Sequence, residues 1–225
     1  MERYLRQLPV LGEEGQRKLR NSTVLVAGLG GLGSPVAYYL AAAGVGELVL
    51  VDEGDVELSN LNRQILHWEK DVGKSKVESA GEKLSALNHE VRLRLVKGRI
   101  TRETAGELVR DVDVVVDCLD NFRTRYLVAD AAWDEGVPLV HGAVEGLYGQ
   151  VTTVVPGQTL KLRELFPNVR DRENIPVVGA TAGVIGAIEA LEVIKLVTDV
   201  GKPLLNKILV IDLTDYSFEV VSIQG

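Results

Sequence analysis

The sequence predicts a Rossmann-like α/β fold, in which a parallel sheet is extended by C-terminal antiparallel strands and carries helices on both faces. Three observations predict it. Ser22 to Asp52 (STVLVAGLGGLGSPVAYYLAAAGVGELVLVD) runs from an apolar strand through a glycine-rich turn and an Ala-rich helix to a second strand ending on an acid. Further strands are expected at 91–96, 113–118 and 137–140, separated by helix-length stretches. The strands at 23–27 and 47–51 are continuous rather than alternating, as expected for strands buried on both faces. Between Val140 and Val155 the residues are β-branched and broken by glycines. That interval has no room for a crossover helix, so the strands there must be antiparallel.

Taken in order, residues 1–21 form a basic N-terminal arm with Arg3, Arg6, Arg17, Lys18 and Arg20, and Gly12 to Leu19 reads as a short helix. Thr23–Ala27 is a strand and Ser34–Ala43 a helix, with Pro35 in the first turn, where its missing N–H costs nothing. Glu47–Val51 is the next strand. Ser59 or Asn60 is placed to cap a short helix through Leu66. Lys74–Leu87 shows helical spacing at Val77, Ala80, Leu84 and Leu87. Helices are expected from Thr101 to Arg110 and from Phe122 to Trp133, and a helical turn at Leu162–Phe166. Pro167–Pro176 is charged and reads as a mobile loop. Ala180–Val197 is a long apolar helix, and Leu204–Asp212 and Phe218–Ile223 are a final strand pair. No linker divides the chain, so 1–225 is expected to be one domain: the arm 1–21, a nucleotide-binding part 22–143 and a C-terminal part 144–225.

Gly28, Gly30 and Gly33 have the G-x-G-x-x-G spacing, with Gly31 between them. Such glycines let a backbone approach phosphates, while a helix N-terminus faces the negative charge. Asp52 is placed to accept hydrogen bonds from a ribose. This pattern suits NAD, FAD or ATP alike. The residues after the other strand ends lean toward ATP: Asn60, Arg63 and Gln64, then Lys74 and Lys76, then Leu119, Asp120 and Asn121. A pyrophosphate neutralised by helix N–H groups has no need of Arg63 and Lys76, whereas nucleotidyl transfer builds charge that cations stabilise. Asp120 would hold Mg²⁺, a hard cation that takes oxygen ligands. Three structural readings compete: a salt bridge for Arg63, a solvated helix start for Lys74 and Lys76, and a helix cap for Asp120. An NAD-dependent oxidoreductase and a non-catalytic scaffold remain alternatives.

The formal net charge of −7 disfavours nucleic acid as a partner. No apolar run reaches membrane-spanning length and the N-terminus lacks a signal-peptide core, so a cytoplasmic protein is expected. Cys118 is the single cysteine. It reads as a small buried hydrophobe rather than a nucleophile, because no histidine lies near it in sequence. His67, His89 and His141 lack metal-ligand spacing; His141 follows a strand and reads as a core or rim histidine.

Seven segments together resemble the E1-like adenylyltransferase family of molybdopterin and thiamin sulfur-carrier activation. They are RYLRQ (3–7), GLGGLGS (28–34), AGVGELVLVD (43–52), LSNLNRQ (58–64), GKSKVE (73–78), DCLDN (117–121) and AGVIGAIEALEVIK (182–195). The resemblance implies that ATP converts the C-terminal glycine carboxylate of a small ubiquitin-like sulfur-carrier protein ending in Gly-Gly into an acyl-adenylate, with release of pyrophosphate. It further implies a ribose-binding role for Asp52, phosphate-binding roles for Asn60, Arg63 and Lys76, and a Mg²⁺-associated role for Asp120. Arg6 would be donated across a homodimer interface. The late strands and Pro167–Pro176 would lie where the carrier tail threads in.

The chain departs from its relatives at two places. Many of them bind structural zinc through two C-x-x-C pairs, whereas here Lys161 and Glu164 stand at the first pair and no second pair is present. No zinc is therefore expected, and a Lys161–Glu164 pair is a candidate substitute clamp. The crossover loop and Val177–Thr181 hold no cysteine, so no thioester or persulfide step on this chain is expected.

Overall fold

The computed structural model describes residues 2–172 and 175–223. A short 3₁₀ turn (Glu2–Tyr4) leads into α1 (Leu8–Asn21). The expected start at Gly12 is instead a kink inside this longer helix: Gly12 takes φ 71°, and Pro9 in the first turn lets the helix begin earlier. Then come β1 (Thr23–Ala27), α2 (Gly33–Ala43), β2 (Glu47–Asp52), α3 (Lys76–Leu87), β3 (Arg92–Lys97), α4 (Arg102–Val109), β4 (Val114–Asp117) and α5 (Phe122–Asp134). After α5 the chain forms β5 (Leu139–Glu145), β6 (Tyr148–Val154), α6 (Leu162–Leu165), α7 (Gly179–Thr198), β7 (Lys207–Asp212) and β8 (Ser217–Ser222). No helix among the described residues is long and apolar enough to cross a membrane.

One sheet has the order β3-β2-β1-β4-β5-β6-β7-β8. The first five strands in that order pair in parallel, and β5-β6, β6-β7 and β7-β8 pair antiparallel. The β5–β6 connection is two residues, too short for a crossover. Strand alternation divides the core. Val24, Val26, Leu48, Leu50, Val114 and Val116 face α1, α2, α3 and α7. Leu25, Ala27, Val49, Val51 and Val115 face α4, α5 and α6. The order in which strands are laid down reverses between β1 and β4, where an open α/β sheet leaves a crevice beyond its strand ends.

Several local expectations change. Between β2 and α3 a 3₁₀ turn (Leu58–Asn60) replaces the helix expected through Leu66. The Asn60 side-chain oxygen accepts the Glu57 N–H at 3.1 Å, closing a turn where a helix would have opened. His141 lies inside β5 and is fully buried, because pairing with β6 carries that strand past Val140. Glu164 accepts the backbone N–H of Lys161 at 2.8 Å, and the Lys161 ammonium sits 5.3 Å from the centre of the Trp133 ring. The two residues make a helix cap and a cation–π contact rather than a clamp between side chains. Of the stretch expected as a mobile loop, Glu173 and Asn174 lie outside the described residues. Its other residues form no helix or strand; Asp171 accepts the Phe122 N–H at 2.5 Å, and Arg172 pairs with Glu145.

The apolar helix α7 hides two acids. Glu192 is buried and satisfied: its carboxylate accepts Thr153 Oγ1 and the Leu204 N–H, both at 2.7 Å, and meets Lys195. Glu189 is fully buried against Gly142, and neither of its oxygens has a hydrogen-bond partner among the described residues. Burial, then the Asp117 carboxylate, push the Glu189 carboxyl well above its ordinary range, against a smaller opposing pull from Arg125. With the folded value raised, stability is full below the unfolded carboxylate range and is lost as pH rises from there toward the folded value. Glu189→Gln, neutral at every pH, is expected to leave Tm unchanged near about pH 4. By about pH 8 it should stabilise by ~1–3 kcal/mol, with ~2–4 °C in Tm for each kcal/mol. Calorimetric melting of both proteins across this range checks it; an equal gain at both pH values would refute the assignment.

Candidate active site

The glycine loop runs from the end of β1 into α2 and is shaped by two glycines in particular. Gly28 has φ 92°, and a Cβ there would stand 2.8 Å from the Cys118 carbonyl oxygen. A Cβ on Gly33 would stand 1.9 Å from the Gly28 carbonyl oxygen, so the start of α2 closes directly on the loop. Gly30 is different. A Cβ there would meet only Gln64 Nε2, at 3.8 Å, which leaves this side of the loop open to a ligand.

Asp52, at the end of β2, accepts the Leu29 N–H at 2.8 Å through Oδ2 and the Gly54 N–H at 2.7 Å through Oδ1. Each carboxylate oxygen retains a second lone pair for another donor. Lys76 opens α3 after the Ser75 N-cap, and its Nζ lies beside Gly54, next to the Asp52 carboxylate. Arg63 lays its aliphatic stem against Gly31 and donates from Nη1 to the Ser59 carbonyl at 2.8 Å and to Asn62 Oδ1 at 2.9 Å. It forms no salt bridge among the described residues. Gln64 is buried with its amide toward Gly30, and its Oε1 is unpartnered among the described residues. Asn60 is buried too; its oxygen is used in the local turn, and among the described residues its Nδ2 reaches only Ser59 Oγ, at 3.5 Å.

Beyond β4, Asn121 and not Asp120 caps α5, its Oδ1 accepting the Thr124 N–H at 2.9 Å. Asp120 is exposed, with Asn121 Nδ2 donating to it at 3.1 Å. A lone carboxylate of this kind fits Mg²⁺, which binds one or two carboxylates and takes its other ligands from phosphates and water. The crevice thus gathers Gly28–Gly33, Asp52, Asn60, Arg63, Gln64 and Lys76, with Leu119–Asn121 on the β4 side. Arg6 does not join them. Its neighbours hold the arm at the opposite end of the strands: Tyr4 covers Gly44, and Gln7 donates to the Ala43 carbonyl at 2.9 Å.

Beneath the Leu119–Asn121 loop lies a buried network that sequence reasoning missed. The Arg125 guanidinium reaches Asp117 Oδ2 at 3.0 Å, the Gly142 carbonyl at 2.7 Å and the Leu119 carbonyl, so it ties the loop to β4 and β5. His141 Nδ1 lies 2.8 Å from the same Asp117 oxygen. The Arg125 guanidinium reaches the same ring nitrogen, at 3.0 Å. Burial would raise the Asp117 carboxyl, but Arg125 and His141 outweigh it and hold it below its usual range. Burial also keeps the His141 imidazole below its ordinary value, hence neutral. The signal in the sequence was Asp117, an acid closing an apolar run. Cys118 is buried, and burial with the nearby Glu189 and Asp117 carboxylates pushes its thiol well up, the reverse of what a nucleophilic thiolate needs.

The ThiF family model matches residues 3–225. This chain belongs to the ThiF family. It is 44% identical over 229 residues to the SAMP-activating enzyme E1 of Haloferax volcanii, covering 98% of this chain and 84% of that protein. It is 42% identical over 238 residues to a sulfur carrier protein adenylyltransferase of Thermus thermophilus, covering 100% of this chain and 88% of that protein. Among solved structures, E. coli MccB with ATP superposes with a TM-score of 0.86 at 25% identity, covering 99% of this chain and 72% of that one.

Proposed function

We propose that this ThiF-family chain is an ATP-dependent adenylyltransferase acting on the C-terminal glycine carboxylate of a small ubiquitin-like sulfur-carrier protein. A carboxylate oxygen attacks the α-phosphorus and the bond to the β-phosphate oxygen breaks. Pyrophosphate leaves, and the carrier is left as an acyl-adenylate. Carboxylate and triphosphate repel each other, so the enzyme's task is to hold two anions together and stabilise charge gathering on phosphate oxygens.

The observation that carries this reading is the convergence of Lys76 and Arg63 on the glycine loop and Asp52. The loop and Asp52 alone suit a dinucleotide; two cations added at the same crevice suit a triphosphate. Asp52 takes the ribose, Asn60 and Gln64 line the phosphate path, and Asp120 and Asn121 stand on the metal side. Asp120 holds Mg²⁺, which when bound neutralises phosphate charge. Arg6 completes the site from the second protomer of a homodimer, because its own arm is tied to the far end of the sheet. The carrier tail enters past the late strands and the 167–176 segment. Cys118 supports release of the acyl-adenylate without a thioester, its thiol being buried and kept protonated.

Exchange of labelled pyrophosphate into ATP tests the reading against a panel of carriers ending in Gly-Gly. Exchange should require Mg²⁺ and a cognate carrier, and a carrier lacking its last glycine should be inert. Absence of exchange throughout, with NAD identified as bound nucleotide by mass spectrometry, would replace this reading with the oxidoreductase.

A further inference from the structure

His67 lies between the 3₁₀ turn and α3 and is buried. Its Nε2 stands 3.0 Å from the carbonyl oxygen of Leu29, the second residue of the glycine loop. Its Nδ1 stands 2.8 Å from Ser79 Oγ on α3. A carbonyl can only accept, so Nε2 carries the proton and Nδ1 accepts from the Ser79 hydroxyl. One turn on, Lys83 donates to the same Ser79 oxygen at 2.7 Å and pairs with Asp71, both Lys83 and Asp71 being buried. An ammonium can only donate. With the ring neutral, the chain of bonds has one polarity, from Lys83 through Ser79 and His67 to the Leu29 carbonyl.

The Leu29 peptide is consequently held at both ends: its N–H on Asp52 and its carbonyl on His67. It sits between Gly28 and Gly30, where the backbone has the greatest freedom to lose. Burial, helped by the charges of Lys76 and Lys83, keeps the ring below its ordinary value. The Leu29 carbonyl and Asp52 pull the other way and are outweighed. The imidazole thus stays neutral, as a donor to a carbonyl with a lone pair on its other nitrogen must be.

We propose that His67, oriented by Ser79 and Lys83, is a positioning residue that sets the glycine loop for the nucleotide; this rests on the reading of that loop as the ATP site. Two measurements test it on the purified full chain. Nitrogen NMR of labelled histidine should find His67 in the neutral Nε2–H form through the physiological range. In His67→Ala, amide exchange of the peptide covering Gly28–Gly33 should rise, and the Kd for MgATP should weaken by about 5–10-fold. KM for ATP should rise by a similar factor while kcat falls less. His67→Gln, which can offer an amide N–H where Nε2–H stands, should recover most of both losses, whereas His67→Asn should not. If His67→Ala fails to fold, Ser79→Ala decides, because it keeps the ring and removes only its orienting hydroxyl. It should raise loop exchange and admit the other tautomer. Faster loop exchange in His67→Ala, together with a wild-type protein that binds no ATP, would uphold the positioning role and overturn the nucleotide reading. An Nδ1–H tautomer in the wild type would overturn the proposal, as would unchanged loop exchange in variants that fold.

Discussion

Lys76→Ala lowers carrier-dependent ATP–pyrophosphate exchange by about 10²–10³-fold, the scale on which a preorganised charge at a developing anion acts. The ammonium stands beside Gly54 and the Asp52 carboxylate, in the first turn of α3. A cation there is disfavoured by the helix dipole, so local stability does not account for its position. Its removal should leave Tm within about 1–2 °C of wild type, since half-exposed surface substitutions stay within ~0.5 kcal/mol. Most of the loss should appear in kcat and little in the Kd for MgATP, because charge builds on the phosphates mainly in the transition state. Steady-state exchange kinetics with calorimetric titration separate the two. A loss confined to Kd would show that Lys76 binds the ground state only.

Arg6→Ala and Arg63→Ala are each expected to lower exchange by about 10²-fold, and mixing the two inactive proteins should restore activity. In a mixed dimer, the protomer that keeps Arg63 receives an intact Arg6 from its partner, so one of the two sites is whole. Random exchange of protomers in an equal mixture makes half the dimers mixed, so activity should recover to about a quarter of wild type. The expectation follows from where the arm is held. Tyr4 closes over Gly44 and donates to Glu90 at 3.2 Å, while Gln7 reaches the Ala43 carbonyl, all at the end of the sheet away from Asp52. If Arg6 acted within its own chain, every site in the mixture would stay defective and no activity would return.

Much of this molecule was legible from local pattern. The strands at 23–27, 47–52 and 114–117 and the helices α2 to α5 follow from apolar runs and their spacers, to within a residue or two at each end. The antiparallel turn of the sheet followed from the short interval after Val140. Departures arose where side chains bind backbone. Asn60 closes a turn that composition alone reads as a helix start, and Asn121 takes the cap that Asp120 was equally placed to take. The Lys161–Glu164 substitution reads as an ion pair until the helix turn sends one residue to a backbone N–H and the other to Trp133.

By itself, the sequence determined the order of strands and helices, the glycine loop with Asp52, and the set of polar residues beyond the strand ends. These are local properties: the periodicity of apolar residues and the need for glycine where the backbone turns tightly. Only the tertiary structure decided which distant groups meet. It set Arg125 and His141 on Asp117, aimed His67 at the Leu29 carbonyl, left Glu189 buried without a partner among the described residues, and kept Arg6 at the far end of the sheet. Hydrogen bonds and desolvation depend on positions in space to within a fraction of an ångström. No spacing along the chain encodes that for residues brought together from separate strands and helices.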